Sequence, residues 1–259
     1  MKKKEIINHI TNWLKEYSDK SGTNGFVIGI SGGIDSALTS TLCARTQKPV
    51  IVLNMPIRQS KQEYDRGREH IEWLKKNYKN VSSEVVDLTG IFEKIEKDFP
   101  EQIQDFLTMA NTRARIRMTT LYAFAGHHKM LVAGTGNKIE DFGVGFFTKY
   151  GDGGIDVSPI ADLMKSQVYT LAKELGVVES ILIAKPTDGL FHDGRSDEDQ
   201  LGASYDELEW AMIALEKNEN ENTFTERQKE VMNIYKDRNR ANKHKMEVIP
   251  VCLIPKELF

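Results

Sequence analysis

Ile6, Ile10, Trp13, Leu14 and Tyr17 recur at helical spacing near the N-terminus, and the apolar run Phe26-Val27-Ile28-Gly29-Ile30 then has the length of a buried strand. The alternation repeats. Residues 50–53, 85–88 and 129–133 read as a second, third and fourth strand, with helical stretches over 36–46, 61–78 and 101–126 between them. Beyond Glu140 come a glycine-rich passage, a helix over 165–175, a polar segment over 186–200 and two more helical stretches. Strands alternating with helices predict βαβ units, and hence an α/β fold: a Rossmann-like, doubly wound parallel sheet with helices on both faces. Such sheets bind ligands beyond the carboxyl ends of their strands. The polar segments 31–36, 54–60 and 134–140 all follow predicted strands. With no internal repeat, low-complexity tract or linker, residues 1–259 are expected to form one domain.

Composition narrows the class. At 40% hydrophobic and 28% charged residues the chain is neither disordered nor a membrane protein by composition, and no apolar run approaches the roughly 20 residues of a bilayer span. Lys2, Lys3 and Lys4 resemble the basic start of a secretory signal, but Asn8, His9, Thr11 and Asn12 interrupt the apolar stretch that would have to follow. A cytoplasmic protein is expected. The net charge of -3 argues against a broad electrostatic footprint, so neither nucleic acid nor membrane is an expected partner. Cys43 and Cys252 are too far apart in sequence for a redox pair, and two cysteines cannot build a thiolate zinc cluster.

The chemistry concentrates at a few motifs. Ser31-Gly32-Gly33-Ile34-Asp35-Ser36 joins the first strand to a helix, which gathers backbone N–H groups and hydroxyls at a helix N-terminus, where an anion is favoured. It lacks the Gly-Lys-Ser/Thr ending of a Walker loop and is not a G-x-G-x-x-G fingerprint. From the residues alone it is a phosphate cradle or a tight turn in which Ser31 or Asp35 caps the helix.

The string S-G-G-x-D-S after a first strand resembles the pyrophosphate loop of the ATP pyrophosphatase superfamily, with its adenine nucleotide alpha hydrolase-like fold. That loop is shared by NAD synthases, other adenylating ligases and tRNA-modifying enzymes. A second run, Gly134-Thr135-Gly136-Asn137-Lys138-Ile139-Glu140, followed by residues 145–154 and Asp156, resembles the NAD synthase signature. The similarity extends from the N-terminal helix to His244-Lys245.

The resemblance implies ATP-dependent amidation of deamido-NAD by ammonia to give NAD, AMP and pyrophosphate through an adenylate, with Mg²⁺ as cofactor and a homodimer as assembly. It implies that Gly29, Ile30, Ser31, Gly32, Gly33, Ile34, Asp35, Ser36, Thr135, Lys165 and Thr187 bind ATP, and that Asp35 and Glu140 hold the metal. Arg115, Lys149, Asp156, His244 and Lys245 fall at deamido-NAD positions. No side chain is expected to act as a nucleophile. Ammonia is the expected nitrogen donor, because these residues offer no nitrilase-like Glu-Lys-Cys set. Lys165 near a helix start is unfavourable beside the macrodipole, whereas a phosphate neighbour would favour it. Arg113 is expected on a solvated face, and Phe146, Phe147 and Tyr150 in the core. Residues 191–200 resemble the family's mobile active-site loop. Gly136 and Asn137 depart from residues common in the family, which touches fine nucleotide contacts. Other readings are a related ATP-pyrophosphatase-type ligase or tRNA-modifying enzyme, or a non-catalytic nucleotide-binding regulator, which would need no second substrate site.

Overall fold

A computed structural model describes residues 1–186 and 196–259. Four parallel strands, β1 (Phe26–Gly29), β2 (Val50–Asn54), β3 (Val81–Val85) and β4 (Leu131–Val132), lie in the order β3-β2-β1-β4. Ala133 extends the edge beside β4 by a parallel bridge to Val157. Side chains alternate across the sheet as the pleat requires. Phe26, Ile28, Val50, Val52 and Leu131 enter one core with α1 (Lys3–Lys20), α2 (Ile34–Arg45), α3 (Lys61–Asn77) and α6 (Lys165–Glu174). Val27, Ile51, Leu53 and Val132 enter the other with α4 (Thr89–Asp98) and α5 (Phe106–His128). Both faces are covered, which is why β1 and β2 read as continuous apolar runs.

A third core joins the π-helical turn Ile139–Val144 to α8 (Asp197–Leu201), α9 (Tyr205–Glu216) and α10 (Glu226–Met246). The short α7 (Glu179–Leu182) packs between α2, α3 and α6. This arrangement sets α9 and α10 around the chain that leaves β4, so that both reach the carboxyl end of the sheet.

Two expectations shift. The third strand runs four residues earlier than 85–88, because β3 is an edge strand whose Ser82, Ser83 and Glu84 are not buried and carry no apolar signal. The helix expected over 101–126 begins only at Phe106: Glu101–Ile103 forms a 3₁₀ turn, and Asp105 caps α5 by accepting from the Thr108 amide. α4 was not expected; Phe92 is its one fully buried side chain, and Ile95 packs beside it against the sheet.

Candidate active site

A cleft of about 670 Å³ opens at the carboxyl end of the sheet, and the segment 29–36 forms one wall of it. Gly32 lies in the left-handed region at φ +86°, where side chains are strained, and a Cβ there would stand 2.5 Å from the Glu63 carbonyl oxygen of α3. The two serines organise the loop. The Ser36 hydroxyl donates to the Gly33 carbonyl at 3.0 Å and accepts from the Ser31 amide at 3.3 Å, while the Ser31 hydroxyl accepts from the Gly33 amide at 3.2 Å. The helix cap is Gly33, with no side-chain cap bond, so neither Ser31 nor Asp35 caps α2. The first-turn amides of α2 therefore remain available to an anion.

Beneath this loop three charged groups meet. Lys165, the first residue of α6 and only 4% exposed, places its Nζ 2.6 Å from Asp35 Oδ2 and 2.9 Å from Glu140 Oε1. The unfavourable position of a cation at a helix N-terminus is thus offset by carboxylates of this chain. Burial and the neighbouring Glu140 charge push the Asp35 carboxyl upward against the pull of Lys165. Against the cost of its own burial, Lys165 and the Tyr205 hydroxyl hold Glu140 low, and the two carboxylates keep Lys165 charged despite its desolvation. One cation faces two carboxyls.

Two residues that place these carboxylates had no assigned role in the sequence reading. Buried Asn137 donates to Asp35 Oδ1 at 3.1 Å, and its own oxygen accepts from the Ile139 and Glu140 amides at 3.1 Å each. The departure at that position is therefore a clamp on both proposed metal ligands. Tyr205, at the start of α9, donates to Glu140 Oε1 at 2.6 Å and stands 3.3 Å from Asp197 Oδ2. The strict S/T-x-x-E pattern at Ser204 and Glu207 marks the helix start but nothing about the tyrosine between them.

At the other end of the cleft the cations lie on main-chain carbonyls. Arg115 of α5 donates through Nε and Nη2 to the Lys149 carbonyl, each at 3.3 Å. Lys149 Nζ donates to the His244 carbonyl at 2.9 Å, and Lys245 Nζ to the Phe147 carbonyl at 2.7 Å. Burial draws the Lys245 ammonium down from its usual range. Lys245 also sits 4.9 Å over the Phe147 ring, which lines the cleft rather than the core. Tyr150 is 60% exposed.

The cleft brings together residues 29–36, Thr135, Glu140, Lys165, Arg115, Lys149, His244 and Lys245. It does not take in Asp156, whose carboxylate is turned to the sheet edge by the Val132 amide at 2.8 Å and the Tyr122 hydroxyl at 2.9 Å. Thr187 and the first half of the loop expected over 191–200, residues 191–195, lie outside the described residues. Arg113 is not solvated: it is 5% exposed, with its guanidinium 5.3 Å from the Phe92 ring. Asp35 and Glu140 suit a Mg²⁺ that takes two carboxylates and fills its shell from phosphate and water. Among the described residues no group of three or more His, Cys, Asp or Glu is placed to hold a metal ion.

The NAD synthase family model matches residues 6–249. The NH(3)-dependent NAD(+) synthetase of Methanosarcina acetivorans is 35% identical over 252 residues, 94% of this chain and 96% of that protein. Among solved structures, the NMN synthetase of Francisella tularensis superposes with a TM-score of 0.84 at 31% identity over 99% of both chains. The NH3-dependent NAD synthetase of Campylobacter jejuni subsp. jejuni, in complex with the nitrate ion, gives 0.80 at 28% identity over 98% of this chain and 100% of that one. The family model spans nearly the whole chain, and a relative 35% identical covers almost all of it: the chain belongs to the NAD synthase family.

Proposed function

We propose that this chain amidates the nicotinate carboxylate of deamido-NAD with ammonia, consuming ATP and releasing AMP and pyrophosphate. The observation that carries this reading is the Asp35–Lys165–Glu140 cluster directly beneath the S-G-G-x-D-S loop, in one cleft with Arg115, Lys149 and Lys245. A carboxylate resists ammonia until one of its oxygens becomes a leaving group. Its oxygen attacks the α-phosphorus, pyrophosphate leaves, and ammonia then displaces AMP through the carboxylate-derived oxygen.

The chain's part is positioning and charge. Amides at the start of α2 and the hydroxyls of Ser31 and Ser36 hold the departing pyrophosphate. Lys165 is a fixed positive charge in the floor, and Arg115, Lys149, His244 and Lys245 orient the substrate anion. Asp35 and Glu140 would hold Mg²⁺, which when bound neutralises phosphate charge. No side chain forms a covalent intermediate.

The reading includes residues 1–259 acting as one domain, in the cytoplasm where ATP is supplied, and as a homodimer. Tyr122 of α5, outside the cleft lining, is 39% exposed and holds Asp156 on its side of the helix. A second copy against this face would bring Asp156 into reach of the substrate. Among the described residues no helix is long and apolar enough to cross a membrane.

The close superposition on an NMN synthetase over 99% of both chains favours a second reading, in which the same chemistry acts on nicotinate mononucleotide. One assay separates them. Purified protein with ATP, Mg²⁺ and ammonium is given each substrate in turn; the first reading requires NAD, AMP and pyrophosphate in equal amounts and a higher kcat/KM for the dinucleotide.

A further inference from the structure

With the loop taken to hold pyrophosphate, as proposed above, we infer that Gln59 and Arg66 are positioning residues that keep it in its anion-binding form. An anion site made of backbone requires N–H groups turned inward and carbonyl oxygens turned away, because an inward carbonyl dipole repels phosphate. Two successive carbonyls of this loop are held from outside. Gln59 Nε2 donates to the Ser31 carbonyl at 3.1 Å, and Arg66 Nε donates to the Gly32 carbonyl at 3.4 Å.

Both donors belong to the stretch that follows β2, so the neighbouring crossover braces the loop. α3 is seated by Ser60, whose side chain accepts from the Glu63 amide, and the Glu63 carbonyl then faces Gly32 too closely for any side chain there. One turn on, a Cβ at Gly67 would stand 3.7 Å from the Gly32 nitrogen, so the α3 backbone runs along the loop.

Gln59 is aimed by its neighbour. Arg58 adopts φ +49°, turning the chain, and its guanidinium grips Glu96 of α4 at 2.7 and 3.2 Å. The next residue is thereby delivered to Ser31. Gln59 and Arg66 both border the cleft, yet their bonds run to loop carbonyls.

The test is calorimetric binding of inorganic pyrophosphate, with Mg²⁺ present, to the full chain and to Gln59→Leu and Arg66→Met, alongside steady-state kinetics and thermal melting. Each variant is expected to bind pyrophosphate about 3- to 10-fold more weakly, the equivalent of one hydrogen bond. The KM for ATP should rise by a similar factor, with the KM for the nicotinate substrate and the melting midpoint little changed. Gly67→Val, which removes no polar group but crowds the loop, should weaken pyrophosphate in the same direction. Variants that bind pyrophosphate as the unmodified chain does overturn the assignment, even if the KM for ATP moves, since the contact would then be with adenosine. A loss of about 100-fold or more in Arg66→Met alone would mark a direct phosphate ligand and overturn its positioning role. An unmodified chain that does not bind pyrophosphate overturns the reading of the loop itself, and this role with it.

Discussion

The two ends of the cleft are built differently. At the phosphate end, Asp35, Asn137, Glu140, Lys165 and Tyr205 bond one another side chain to side chain, from α2, the segment 137–140, α6 and α9. At the substrate end, Arg115, Lys149 and Lys245 rest on main-chain carbonyls, and Arg115 and His244 are exposed. A neutral carbonyl is a weaker partner for a cation than a carboxylate or phosphate. The first end is therefore a preorganised charge array, whereas the second holds cations on partners that an incoming anion can outcompete. On the proposed reading, phosphate chemistry falls to the rigid end and substrate choice to the adaptable one.

The sharpest way to break this contrast is Lys165→Met. It leaves two largely buried carboxyls facing each other without a cation, and losing one partner of a buried ionic cluster costs up to about 3–5 kcal/mol. Urea unfolding should show that loss together with loss of turnover. Asp35→Asn leaves one cation against one carboxylate, so its unfolding midpoint should move far less, while turnover falls by on the order of 10²-fold or more. Equal destabilisation by the two variants would mean that the array is not held by Lys165.

Arg115→Ala probes the opposite end. Losing a charge-assisted contact of about 1.5–3 kcal/mol should raise the KM for the nicotinate substrate about 10- to 100-fold, with the KM for ATP and the unfolding midpoint nearly unchanged. A matching rise in the KM for ATP would erase the division between the ends.

The smallest effect at neutral pH concerns the wall behind the phosphate loop. His70 of α3 is fully buried, 3.0 Å from the Ser40 hydroxyl of α2, and burial lowers it to about 4. Its folded value lies below the unfolded value, so the unfolded chain binds the extra proton between the two. The neutral ring is thus compatible with full stability above pH ~6.5, and stability declines as pH falls toward ~4, by at most about 3 kcal/mol. Stability measured at intervals across that window should fall less steeply in His70→Gln than in the unmodified chain. Identical slopes would remove His70 as the cause.

What could be read from sequence follows the same contrast. The pyrophosphate loop is a contiguous string whose glycines and serines serve its own backbone, and β1 and β2 declare themselves because both sheet faces are covered. Asn137 and Tyr205 escaped a role because their significance lies in partners 102 and 65 residues away. Lys165 was expected beside phosphate, but the fold shows the carboxylates that hold it. Arg113 looked solvated because spacing along α5 cannot reveal that Phe92, on another helix, lies against it. β3 was displaced because an edge strand has no unbroken apolar run. Asp156 matched a motif, yet its carboxylate is taken up by the Val132 amide and the Tyr122 hydroxyl and does not line the cleft.

On the proposed function, the phosphate end directs attack to the α-phosphorus. The most direct test is turnover of a substrate labelled with oxygen-18 in the nicotinate carboxylate, with ATP, Mg²⁺ and ammonium, followed by mass spectrometry of the products. One labelled oxygen per turnover should appear in AMP, with pyrophosphate unlabelled. Labelled inorganic phosphate accompanied by ADP, or AMP without label, would contradict the account even if the amide were formed.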